Sequence, residues 1–174
     1  MLEYYVSHLT IITMSEYHFE TVNDDVPYIY ADFIIVNVTY MAIFSDDQDA
    51  LSFFTDNESN SDIIKLIKDK KTYSIKFAVK EYIENGNVDL YAPPLEHKFG
   101  KTEIKKLKKH LEKLMYKHYQ LFKPDCYVFI AERESLARMY NKMCCNPSDF
   151  MADFKPAVKL GRENNCFVIK TPSY

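Results

Sequence analysis

The stretch that most restricts how this chain can fold runs from residue 102 to residue 131. Ile104, Leu107, Leu111, Leu114 or Met115, and His118 recur at spacings of three and four. That periodicity predicts a long amphipathic helix, with Thr102 as its N-cap. Pro124 stops it, and the apolar run Cys126–Ala131 (CYVFIA) follows at once as a compact buried strand. A second helix is expected over Glu134–Met143, with Leu136, Met139, Tyr140 and Met143 on one face. Upstream, Val88–Ala92 (VDLYA) reads as a short strand halted by Pro93-Pro94, because proline removes ladder donors. Strand, turn at Gly100, long helix and buried strand together make one parallel crossover, the connection that parallel strands require.

The flanking segments supply further sheet. Residues 2–13 are rich in β-branched and aromatic side chains and read as a first strand, after which Ser15 is placed to cap a short acidic helix. Phe33–Phe44 (FIIVNVTYMAIF) is nearly continuously apolar, the pattern of one long strand buried on both faces. A turn at 45–49 then leads to a short strand at Leu51–Thr55. Ile63, Ile64, Leu66 and Ile67 fall at helical spacing, and Tyr73, Ile75, Phe77 and Val79 alternate as in a half-buried strand closed by Asn85-Gly86. At the far end, Val158–Leu160 and Cys166–Lys170 bracket a turn of glycine and asparagine, which predicts a terminal hairpin.

Composition excludes several classes. With 174 residues, 47% of them hydrophobic, the chain is long enough to bury a core in one domain without a disulfide or metal staple. Cys126, Cys144, Cys145 and Cys166 lack Cys-x-x-Cys or zinc-finger spacing, and read as free thiols in a reducing compartment. No metal is expected. No apolar run approaches the roughly 18 residues of a membrane span, so the expectation is a cytoplasmic protein with no membrane partner. There is no phosphate-binding loop of the Walker type, no dinucleotide fingerprint and no Gly-x-Ser-x-Gly elbow. His8-x-Thr10 has one half of a two-histidine phosphoesterase pattern, whose second copy is missing.

Charge is segregated along the chain. Residues 1–64 carry twelve Asp or Glu and no Lys or Arg, whereas residues 65–174 carry thirteen acids and 22 bases. The acidic half is suited to attract a cationic amine or a protein partner, and self-association of the two halves into a homo-oligomer fits the same pattern. Residues 98–123 hold nine Lys against Glu103 and Glu112. A nucleic-acid partner is not expected, because neither arginines nor stacking aromatics are interleaved with those lysines.

Two motifs carry a resemblance. The turn before the long helix is HKFGKT, with His97, Gly100 and Thr102 in the frame Gln/Arg-x-x-Gly-x-Gly/Ala, and RESLARMYNKMCC (133–145) fits the frame Asn-x-x-Ala-x-x-Leu-Tyr-x-Lys-Leu-Gly-Phe. Tyr140 and Lys142 stand in register, Met139 and Met143 replace leucines, and Arg133 and Leu136 stand for Asn and Ala. In these residues the chain resembles the GNAT N-acetyltransferase family, and within it the small divergent GNAT-like proteins of tailed bacteriophages. The resemblance implies a mixed α/β fold, mostly antiparallel, flanked by helices with one parallel crossover, and places an insertion at residues 57–87. It also implies an enzyme that moves an acetyl group from acetyl-CoA to an amine.

The same resemblance assigns roles. Backbone amides over Phe99–Glu103 (Phe99, Gly100, Lys101, Thr102, Glu103) would cradle the cofactor pyrophosphate, a site that a helix N-terminus favours and that Lys98 supplements. Leu90, Tyr91 and Ala92 would polarise the thioester carbonyl, Arg133 would border the cofactor, and Tyr140 would protonate the departing thiolate. Glu84, or Glu81, is the candidate base. The alternative is a catalytically degenerate viral protein that keeps the fold and binds a partner in the host cytoplasm or the virion.

Overall fold

A computed structural model describes residues 17–23, 25–46, 61–87, 89–96, 98–161 and 163–174. The strands expected at 2–13 and at Leu51–Thr55 lie outside the described residues. The elements in chain order are β1 (Glu20–Val22), β2 (Tyr28–Ile35), β3 (Val38–Ser45), α1 (Ser61–Ile67), β4 (Thr72–Val79), α2 (Lys80–Glu84), α3 (Lys101–Phe122), β5 (Cys126–Ile130), α4 (Glu134–Cys145), a 3₁₀ turn (Asp149–Met151), β6 (Lys155–Leu160) and β7 (Cys166–Lys170). The strands form one seven-stranded sheet in the order β1-β2-β3-β4-β5-β7-β6. Every neighbouring pair is antiparallel except β4 and β5. The fold is therefore the mixed α/β class expected, with α3 as the crossover between the parallel strands.

Three local readings change. Phe33–Phe44 is a hairpin rather than one strand: Ile35 pairs with Val38, and the two-residue turn between them places Val36 at φ 56°. The turn is Val36-Asn37, and the left-handed position that glycine or asparagine normally takes is held by the valine, which gives no turn signal there and holds a strained backbone. Of the strand expected at Val88–Ala92, Val88 lies outside the described residues and residues 89–92 form a turn, with the Tyr91 amide donating to the Asp89 side chain at 3.1 Å. The strand that enters the crossover is β4 instead, so residues 57–87, read as an insertion, contain a central strand of the sheet. Finally, the N-cap of α3 is Gly100 and not Thr102, which sits inside the first turn. Glu103 makes the difference: its carboxylate folds back so that a Cβ on Gly100 would lie 2.8 Å from Oε2. A glutamate three residues past the cap commonly guards a helix start in this way.

The sheet has a hydrophobic cluster on each face. On one, Tyr127, Phe129, Phe167 and Ile169 pack with Leu107, Leu111, Leu114 and Met115 of α3 and Met139, Tyr140 and Met143 of α4. On the other, the alternate residues Cys126, Val128, Cys166 and Val168 pack with Ile63 and Ile67 of α1. Alternation along β5 and β7 thus feeds two layers from the same strands. All four cysteines are free.

Between α3 and the sheet lies His118, fully buried and stacked on Phe44 at 4.2 Å between ring centroids. The Tyr127 hydroxyl donates to the Met115 carbonyl at 3.1 Å and lies 2.9 Å from His118 Nδ1. With its proton so committed, that hydroxyl accepts from Nδ1–H, which assigns the neutral tautomer. Nε2 has no hydrogen-bond partner among the described residues. Burial, together with the Lys71 charge, pushes the imidazole pKa down to about 3. The unfolded chain takes up this proton near pH 6.5 and the native one does not until far lower, so His118 removes stability as pH falls below 6.5. Urea unfolding of the wild type and His118→Phe between pH 7 and 4 checks this. The variant should lose stability less steeply, by up to about 1.4 kcal/mol per pH unit below pH 6. Parallel profiles would assign the acid sensitivity elsewhere.

Candidate functional site

The site begins where the sheet comes apart. β4 and β5 pair at only three positions, Thr72 with Cys126, Tyr73 with Tyr127 and Ser74 with Val128. Beyond Ser74 each strand follows its other neighbour: β4 stays with β3 as far as Val79, and β5 stays with β7 as far as Ile130. The β4 edge facing β5 therefore has no ladder partner past Ser74 among the described residues. Such an edge presents unpaired amides and carbonyls to whatever enters the gap.

A pocket of about 290 Å³ occupies the open end of this gap, and a cavity of about 20 Å³ lies at its apex. The larger one sits between the end of β4, the 90–93 turn and the first turns of α3 and α4. Leu90, Tyr91, Ala92, Lys98, Phe99 and Arg133, all expected at a cofactor site, line it. Gly100, Lys101, Thr102 and Glu103 form the adjoining start of α3. Residues 42 or more positions apart, such as Tyr91 and Arg133, are thus brought to one site by the crossover.

The helix start itself is partly spoken for. The Gly100 amide donates to the Lys98 carbonyl at 2.8 Å, and the Glu103 carboxylate stands over the cap. The amides of Lys101, Thr102 and Glu103 precede the first intrahelical bond, from Ile104 to Gly100, and face outward as at any helix start. Gly100 has extended backbone at φ −79°, so what its missing side chain provides is room beside Glu103. Arg133 is similarly engaged, donating to both Asp89 carboxylate oxygens at 2.9 and 2.7 Å. With side chains 39% and 57% exposed, that pair is worth under about 1 kcal/mol, which leaves the guanidinium open to competition by another anion.

Tyr140 lies at the apex. It lines the small cavity with Tyr91, Leu136 and Glu132, and its ring packs on Phe129 at 5.0 Å and Phe167 at 5.6 Å. Burial raises its phenol pKa far above the usual value, with Tyr91 and Glu132 adding to the effect, so the hydroxyl is protonated at neutral pH. Burial likewise raises Tyr91. Tyr91 borders both spaces, as do Phe77 and Leu136. Glu84 is not brought to the site: it ends α2 on the exposed surface and lines neither space, and Glu81 is exposed as well.

Sequence reasoning missed Tyr40, Phe77, Val79, Ile104, Leu107, Ser135 and Met139 as pocket residues, and Glu132 beside the apex. Leu107 and Met139 carried a signal, since both fall on predicted apolar helix faces, but those faces read as core. Tyr40 and Phe77 reach the pocket only through strand order. Among the described residues no cluster of three or more His, Cys, Asp or Glu side chains is placed to hold a metal ion, and no helix is long and apolar enough to cross a membrane. Comparison with known proteins finds no matching family model, no matching curated protein and no matching solved structure.

The Tyr140 ring packs on Phe129 and Phe167, contacts that phenylalanine would keep. Tyr140→Phe should keep the melting temperature of the wild type within about 2 °C, a change of under about 0.5 kcal/mol. A larger drop would show that the hydroxyl is a structural anchor.

Proposed function

We propose that this chain is a GNAT-like N-acyltransferase that takes an acetyl group from acetyl-CoA and gives it to an amine. The observation that carries the reading is the parting of β4 and β5 beyond Ser74, with a pocket in the gap, a helix N-terminus at its mouth and a protonated tyrosine at its apex. Lys98, Lys101 and the outward amides of the α3 start would hold the pyrophosphate, and the free β4 edge at Phe77–Val79 takes the polarising role first given to Leu90–Ala92. Acetyl-CoA would supply a thioester whose carbon–sulfur bond is exchanged for a carbon–nitrogen bond to the amine. Tyr140 gives its proton to the departing sulfur, and the Glu132 carboxylate takes the proton released by the nitrogen. Exchange with solvent resets both. The acidic N-terminal half draws the cationic acceptor.

A second reading has its own support. The Glu103 carboxylate over the cap, the Asp89–Arg133 pair and the burial of Tyr140 favour a GNAT-like phage protein that keeps the fold and binds a partner without transferring an acyl group.

Thermal unfolding with and without acetyl-CoA separates the two. A ligand at a hundred times its Kd adds about 2.7 kcal/mol, a rise of several degrees. The expected result is such a rise, abolished in Gly100→Glu, and amine acetylation that falls at least about a hundredfold in Tyr140→Phe. No shift at millimolar acetyl-CoA would sink the transferase reading and leave the second.

A further inference from the structure

The shape and lining of the larger pocket bear on which acyl group it takes. Its innermost wall consists of the buried side chains Tyr40, Phe77, Val79, Leu107 and Met139, and its charged groups, Lys98 and Arg133, stand toward solvent. Apolar depth with cationic rim is the complement of an amphiphile with an anionic end. A volume of about 290 Å³ equals the liquid share of roughly ten water molecules, whereas an acetyl group has three non-hydrogen atoms. The polar amides of the carrier arm need partners that the aromatic and aliphatic side chains of this wall do not supply. They match the free β4 edge, which offers backbone groups along the same gap.

From this we infer that the site is built for an aliphatic acyl thioester of roughly six to ten carbons, its chain lying against Tyr40, Phe77, Leu107 and Met139 and its anionic carrier at Lys98 and Arg133. The inference rests on the acyltransferase reading and names its donor class. Leu136, half-buried on α4 and lining both spaces, stands where the chain would pass from the apex into the pocket. Asp89 sets the threshold for entry, because the incoming anion displaces its carboxylate from Arg133.

Calorimetric titration of the whole chain with CoA, acetyl-CoA, hexanoyl-CoA and octanoyl-CoA is the test. Affinity should rise by up to about fourfold per added methylene. Leu136→Trp, which fills the pocket from a half-buried wall, should lose the chain-length gain, so that it binds octanoyl-CoA no more tightly than acetyl-CoA; if that variant does not fold, the wild-type series still decides. Equal affinity for all four ligands overturns the inference and leaves the acyltransferase reading standing. Binding of none of them overturns both.

Discussion

A three-residue parallel ladder joins the two parts of this molecule. On one side of it β1 to β4 form an antiparallel sheet in sequence order; on the other, β5, β7 and β6 are also antiparallel, with β7 between the other two. Each of β4 and β5 has a better-matched antiparallel partner on its far side, and the strands obey those partners once they pass Ser74 and Val128. The sheet's right-handed twist does the rest, since two strands that share only their first residues diverge as each follows its own half. A gap in the middle of a sheet leaves backbone groups without partners in a place where side chains from both faces converge. That is the physical origin of the pocket.

Two elements keep the halves together despite the short ladder. The α3 helix lies across them, burying Leu107, Leu111, Leu114 and Met115 in a cluster that includes Phe33 and Phe44 from one half and Phe129 and Phe167 from the other. Its fully buried imidazole, His118, is neutral, stacked on Phe44 and beside the Tyr127 hydroxyl, so the clamp is firmest above the pH at which the unfolded imidazole titrates. Glu112, also buried on α3, accepts from the Ser148 amide at 3.0 Å and from Lys108 Nζ at 3.1 Å, fastening the loop after α4 to the same helix. The lysines that make α3 so basic are therefore of two kinds. Lys105, Lys106 and Lys109 are exposed, whereas Lys108 belongs to the structure. Contact between the acidic and basic halves is seen in the Lys80–Asp32 pair, which ties β2 to the start of α2.

Much of this was legible beforehand, for definite reasons. Helix periodicity over Ile104–His118 and Leu136–Met143 is set by local geometry and survives in the fold, as do the strand at Cys126 and the terminal hairpin. The cofactor candidates Leu90, Tyr91, Ala92, Lys98, Phe99 and Arg133 do converge on one pocket, although Leu90–Ala92 arrive there as a turn and not as a strand. What misled was punctuation. Val36 turns a hairpin without any glycine or asparagine at the positive-φ position, and so two strands read as one. With that strand miscounted, β4 fell into an apparent insertion and the crossover seemed to begin at Val88.

The sequence by itself determined the secondary elements that rest on nearest-neighbour patterning, the free cysteines, the charge segregation and the protonatable tyrosine on α4. Only the tertiary structure decided where β4 and β5 part, that Glu103 covers the α3 cap, that Arg133 meets Asp89, and that Glu132 rather than Glu84 accompanies Tyr140. The reason is range. Periodicity and capping are encoded within a few residues of one another, whereas the pocket is made by pairings between residues 29 to 54 positions apart, whose competition for partners no local pattern records.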